Sequence, residues 1–189
     1  MKTLAHLLLL TLALTGCKKD APEAGLPPAT QEGRNIGACR IDGQVWQTSY
    51  SQGTAISSSG VSALVVKRAS QSTYEVSINL SSGNPSRYIK LDCKSTPGYG
   101  TCYFNTTLPS SAALLPSHAL YQNRTGSGPR GEFTTNASAN GQLDVTYFNL
   151  DNHTIAGRFS FVAQDSLSQR RVSITDGRFD IQFVYLELP

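Results

Sequence analysis

Charge is scarce in this 189-residue chain, and so are the residue types on which enzyme chemistry usually rests. Asp, Glu, Lys and Arg together make up 15% of the residues, and there are three His, four Cys, one Trp and one Met. The basic residues form no block, which sets aside a nucleic-acid partner, because such a partner requires a clustered basic face. No His or second Cys stands at ligand spacing from Cys39, Cys93 or Cys102, so no metal and no other cofactor is expected. The Gly-x-Ser-x-Gly signature of a nucleophile elbow does not occur. Long apolar runs are missing as well. The longest, Leu7 to Leu14, is too short to cross a bilayer as a stable helix, and no long amphipathic helical period appears.

What is present is strand periodicity. The triplet Gly-Arg-Phe occurs twice, at Gly157-Arg158-Phe159 and Gly177-Arg178-Phe179. Around both, apolar residues stand two apart with polar ones between, the pattern of strands with one buried face. Phe159, Phe161 and Ala163 share one face, opposite Arg158 and Ser160. Phe179, Ile181 and Phe183 repeat this against Arg178, Asp180 and Gln182. Read as a two-residue turn, Asp176-Gly177 makes a closing hairpin in which Ile174 faces Phe179 and Val172 faces Ile181. Asp42-Gly43 makes an opening hairpin that sets Cys39 opposite Trp46, which is either a core anchor or a ligand-stacking platform. Further alternating segments over 61–67, 73–80, 87–93, 101–105, 119–121, 131–135, 142–150 and 154–164 are separated by turn residues such as Asn140-Gly141. A helical turn is expected between Leu108 and Pro116, bounded by prolines. About ten short strands without a long helix predict an all-β fold, an antiparallel β-sandwich or a partly open β-barrel, as one domain over 35–189.

The first residues have a separate logic. Lys2, the apolar run and the small pair Thr15-Gly16 before Cys17 are ordered as in a secretory signal, and Leu14-Thr15-Gly16-Cys17 resembles the lipobox of bacterial lipoproteins. That resemblance implies a signal peptide over 1–16 and a lipid attached to Cys17, with several chains anchoring where one is marginal. Lys18 directly after Cys17 stands in place of the Asp that resembles an inner-membrane retention signal, so the same resemblance implies the outer membrane. Residues 17–34, rich in Pro and Ala with almost nothing large and apolar, read as a flexible stalk. Beyond the signal, fifteen basic side chains stand against thirteen acidic ones, a net charge of about +2. An exported domain can form disulfides. Among the three remaining cysteines, Cys93 and Cys102 are the favoured pair, with Cys39 joined to either as the alternatives.

Several stretches together resemble a family of Bacteroidota envelope lipoproteins carrying a domain of unknown function. They are Leu26-Pro27-Pro28-Ala29-Thr30-Gln31, the run from Ile36 to Trp46, Gly141 to Val145, Ile155 to Phe161, and Ile174 to Asp180. The resemblance covers both ends of the chain and not the segment from about 49 to 130. It implies a cell-envelope lipoprotein, periplasmic or surface-facing, with a small β-domain, and no activity. Asp165-Ser166-Leu167 also resembles the O-glycosylation acceptor of exported Bacteroidota proteins, with Ser166 as the acceptor.

The functional expectation is a non-enzymatic binding or structural module, tethered to the membrane by lipid and meeting a protein or glycan partner. Arg158 and Arg178 either lie side by side on the outer face and grip an anion, or pair with carboxylates such as Asp176 and Asp180. His118 and His153 are the only histidines beyond the signal, and His153 reads as a turn residue. The alternative is a glycan-acting hydrolase, which requires Glu132, Asp144 and Asp151 to converge in a groove.

Overall fold

The alternation of apolar and polar residues is realised as eleven strands, with no helix, among the described residues. In the computed structural model these are 25–48, 60–82, 87–105, 117–124 and 130–189. The expected signal peptide, Cys17 and the expected helical turn at 108–116 lie outside them. The strands are β1 (Ile36–Ile41), β2 (Gln44–Gln47), β3 (Val61–Arg68), β4 (Tyr74–Ser81), β5 (Arg87–Thr96), β6 (Gly100–Phe104), β7 (His118–Asn123), β8 (Gly131–Thr134), β9 (Gly141–Asn149), β10 (Thr154–Gln164) and β11 (Arg171–Leu188).

They form one hydrogen-bonded sheet that folds over on itself into two layers. The first layer runs β2-β1-β11-β10-β9-β6 and the second β3-β4-β5-β7-β8. Two seams join them. At one, the far end of β11 lies beside β3 from Phe183 to Leu188; at the other, β8 and β10 meet at the single pair Thr134 and Gln164. The result is a partly open barrel whose interior is filled by side chains, including Phe104, Tyr121, Phe133, Phe159, Phe161 and Phe183. Phe148 stacks on Phe183 with ring centroids 5.4 Å apart.

One expectation fails in detail: the sheet is mixed, because β11 and β3 run parallel. A parallel pair needs a long crossover, and here the whole chain between β3 and β11 provides it. The 18-residue β11 outruns β1 and continues along the free edge of β3.

The opening hairpin matches the expectation. Asp42 and Gly43 both have positive φ, 48° and 80°, as a two-residue type I′ turn demands, and Cys39 pairs with Trp46. Trp46 is buried as a core residue, not a stacking platform. The disulfide joins Cys93 of β5 to Cys102 of β6, and so ties one layer to the other. Cys39 stays a buried free thiol. Burial pushes its pKa far above the ordinary range, with the charge of Asp176 adding to the effect.

The closing hairpin is different from its expected form. Asp176-Gly177 is no turn; it is a bulge inside the continuous strand β11. Both neighbours record the same extra residue: Ala38 and Arg40 of β1 pair with Arg178 and Thr175, and Phe159 and Phe161 of β10 pair with Gly177 and Ile174. An extra residue reverses which face the following side chains take. Val172 and Ile174, even-numbered, and Phe179, Ile181 and Phe183, odd-numbered, therefore all reach the core. The real hairpin joins β10 to β11 through residues 165–170, closed by the Asp165 amide donating to the Arg170 carbonyl at 2.9 Å. Likewise Asn140-Gly141 does not join β8 to β9 as neighbours, since both instead pair with β10.

The two Gly-Arg-Phe triplets pair with each other. Gly157 lies opposite Phe179, Arg158 opposite Arg178, and Phe159 opposite Gly177. A Cβ on Gly157 would stand 2.8 Å from the Phe179 ring and 2.2 Å from the Asp144 carbonyl oxygen; one on Gly177 would stand 2.5 Å from the Phe159 ring. Each glycine thus leaves the room that the other triplet's ring occupies.

The expected stalk is fixed over its last residues. Leu26 is buried, and the segment from there to Asn35 lies across the outer face of β11 as a strap. Asp180 accepts from the Thr30 hydroxyl at 2.6 Å and from the amides of Glu32 and Gly33 at 3.1 and 2.7 Å. The Arg178 guanidinium donates to the Pro27 carbonyl at 3.0 Å, and the Gln182 amide to the Asn35 side chain at 2.9 Å. These contacts offset the ordering entropy that composition alone left uncompensated. They also explain why Arg178 and Asp180, on the outer face, are only 5% and 1% exposed.

Gly157→Ala is expected to destabilise the domain by about 2–3 kcal/mol, since a backbone oxygen cannot yield to the new methyl without shifting a strand. Asp180→Ala should cost about 2–3 kcal/mol, the scale of hydrogen bonds to a buried charge. Urea denaturation midpoints measure both, and limited trypsin digestion should cut at Arg34 in Asp180→Ala well before wild type.

Candidate functional site

Outward-facing side chains of the second layer form a groove of about 160 Å³ over β3, β4 and β5. Its origin is a row of cross-strand neighbours: Val184, Leu64, Ser77, Asp92 and His118 on β11, β3, β4, β5 and β7. Ser77 is the small member in the middle, and the longer side chains on either side leave a hollow above it. Leu64 and Val66 wall one side, while Lys90, Asp92 and Lys94 wall the other. Beyond the apolar wall, Val184 and Leu186 are 62% and 44% exposed. The face is therefore apolar on β11 and β3 and charged on β4 and β5.

The charged half consists of two networks. Glu75 receives Arg68 Nε and Lys94 Nζ, each at 3.0 Å. Burial raises the pKa of its carboxyl, but the hydrogen bonds and charges of Lys94 and Arg68 outweigh that and hold it below the usual carboxylate value. Asp92 Oδ2 has Lys90 Nζ at 2.9 Å and His118 Nε2 at 3.3 Å, neither aligned as a hydrogen bond. Tyr88, on the same strand, donates to the Asn79 side chain. Burial pushes its phenol pKa up, and Asp92 adds to that. Ser117 holds the β5 backbone here, its hydroxyl accepting from the Lys94 amide at 3.0 Å. With both carboxylates held by cations, the face offers fixed ammonium groups beside an aliphatic wall.

The residues singled out from sequence lie elsewhere. Arg158 and Arg178 are neighbours on adjacent strands, but the strap covers Arg178, which also donates to the Asp176 carbonyl at 3.4 Å. Asp176 pairs with Arg40 at 3.4 Å and Asp180 accepts from the strap, so both carboxylates named as partners for these arginines are engaged by other groups. Glu132, Asp144 and Asp151 do not converge. Glu132 stands near the Gln164 end of β10 and Asp151 just before its Thr154 end, about 30 Å apart at strand rise, with Asp144 between them on β9. Each has its own local fixture: Glu132 accepts from Gln122, Asp144 from Thr101 and Gln142, and the Asp151 amide donates to Asn149. His153 occupies a turn with φ 51°. Ser166 is exposed at the tip of the β10–β11 hairpin, where Asp165 accepts from the amides of Leu167 and Ser168, which hold its carboxyl below the usual range.

The groove escaped sequence reading because its row is assembled from five strands by register. The one available signal was Lys90-x-Asp92-x-Lys94, alternating with buried Ile89, Leu91 and Cys93. No family model, curated protein or solved structure matches the chain.

Because the folded pKa of Glu75 lies below its unfolded value of about 4.3, its stabilising contribution is complete above that value and disappears as pH falls through the folded pKa. Glu75→Gln should therefore be less stable than wild type at pH 7, and the gap should close in the acid range below pH 4. Urea midpoints across pH 3–7 measure this; a gap of constant size would show that the carboxylate charge is not what stabilises.

Proposed function

We propose that this chain is a cell-envelope lipoprotein whose β-domain is a non-enzymatic binding module, docking a protein partner on the face of β3, β4 and β5. The observation behind this reading is the juxtaposition of exposed Val184 and Leu186 with the ion-paired Lys90, Lys94 and Glu75. Apolar surface beside oriented charge suits a protein segment that buries aliphatic side chains and meets ammonium groups at its rim. The aliphatic wall supplies the driving force and the charges set register and orientation.

The tether is the lipid on Cys17, and the strap gives it direction. The strap begins at Gly25, packed against Val45 of β2, and runs along β11 to Asn35 beside Gln182. The groove lies further along β11, at Val184 and beyond. From Cys17 to Gly25 the chain can reach at most about 28 Å. The tether therefore meets the domain on its β1–β2 side, apart from the groove at the far end of β11.

The test is a photoactivatable cross-linking residue at Val184 in native cells, with Arg171 as a control position. A discrete adduct at Val184, absent at Arg171 and lost when Leu186→Asp is added, is the expected result. No adduct, or equal adducts at both positions, overturns the docking face. The anchor is tested separately: Cys17→Ser should move the protein from the membrane to the soluble fraction.

A further inference from the structure

The opposite layer carries a second surface of different character. On its outer side β6, β9 and β10 align two cross-strand rows, Tyr103 with Gln142 and Ser160, and Thr101 with Asp144 and Arg158. Tyr103 is 63% exposed, more than any other aromatic ring among the described residues, whereas Trp46 is buried. The ring thus presents an apolar flank and a polar tip to solvent. Next to it, Asp144 is fixed through both oxygens: Oδ1 accepts from the Thr101 hydroxyl at 2.6 Å and Oδ2 from the Gln142 amide at 2.8 Å. Each carboxylate oxygen keeps further acceptor capacity, and the Gln142 carbonyl is one more acceptor. The platform is stiff, because β6 pairs with β9 along its length and is bound to β5 through Cys102.

This chemistry selects its ligand class. One ring among polar groups is too little apolar area for a protein interface core. The formal charges of Asp144 and Arg158, in register on adjacent strands, cancel and favour neither a polyanion nor a polycation. A sugar ring has a C–H face to lay on Tyr103 and vicinal hydroxyls to donate to the fixed carboxylate and amide, which suits a site of few, oriented polar groups.

We propose that the outer face of β6, β9 and β10 is a binding site for a neutral glycan, with Tyr103 as the stacking platform and Asp144 and Gln142 receiving its hydroxyls. The site lies on the layer opposite the groove, and it stands whether or not the groove binds a protein.

The experiment titrates the full-length chain with cellohexaose, chitohexaose and maltohexaose, and with dextran sulfate as a charged control, following backbone amide resonances. Saturable shifts at Tyr103, Gln142 and Asp144 with at least one neutral oligosaccharide are expected. Tyr103→Ala should weaken that binding about tenfold, the order expected for loss of a stacked ring, with an unchanged thermal midpoint. Asp144→Asn, which keeps the shape and removes the charge, should weaken it as well. No saturable binding to any neutral oligosaccharide, binding undiminished in Tyr103→Ala, or binding to dextran sulfate alone overturns the proposal.

Discussion

At the centre of the β10–β11 pair, Gly157 lies opposite Phe179 and Gly177 opposite Phe159, so that two rings fill the space two missing side chains leave. The arrangement is reciprocal about the Arg158–Arg178 pair. It fixes register, since slipping either strand by one residue would set a ring against a Cβ and turn every apolar side chain to the other face. It also brings Phe159, Phe161, Phe179 and Ile181 together in the interior, each large side chain contributing about 1.5–3 kcal/mol by burial. Both seams of the barrel are extensions of these two strands: β11 continues to β3, and β10 reaches β8 at its last residue.

Curvature follows from bulges. Besides the one at Asp176-Gly177, β9 carries an extra residue at Thr146 against β10, and β5 carries one after Cys93 against β4. In each strand the buried positions change parity at that point, from Leu143 and Val145 to Phe148, and from Leu91 and Cys93 to Thr96. A local bend and twist is the usual effect of such an insertion, and here it lets long strands serve two layers while their apolar residues stay inside.

The outer faces divide the labour. Over β11 the strap buries Arg178 and Asp180 and closes that surface. Over the second layer a small serine among long side chains leaves a groove with an aliphatic wall and an ion-paired wall. Over β6 and β9 the face is flat, polar and locked by hydrogen bonds around Asp144. All three come from residues that a strand pattern marks only as outward.

The sequence by itself determined the strand period, the inward phenylalanines, the opening turn at Asp42-Gly43 and the pairing of Cys39 with Trp46, and it favoured the Cys93–Cys102 bridge that the structure selects from the three pairings. These rest on interactions between residues close in the chain, or on a face that repeats every second residue. Only the tertiary structure decided that Asp176-Gly177 is a bulge, because a turn and a bulge satisfy the same alternation and differ only in what lies alongside; β1 and β10 supply that. It also decided that residues 26–35 are fixed, through contacts spanning 147 to 151 positions, which no composition encodes. The groove and the Tyr103 face belong to the same class: register across neighbouring strands sets which outward side chains meet, and register is a property of the assembled sheet.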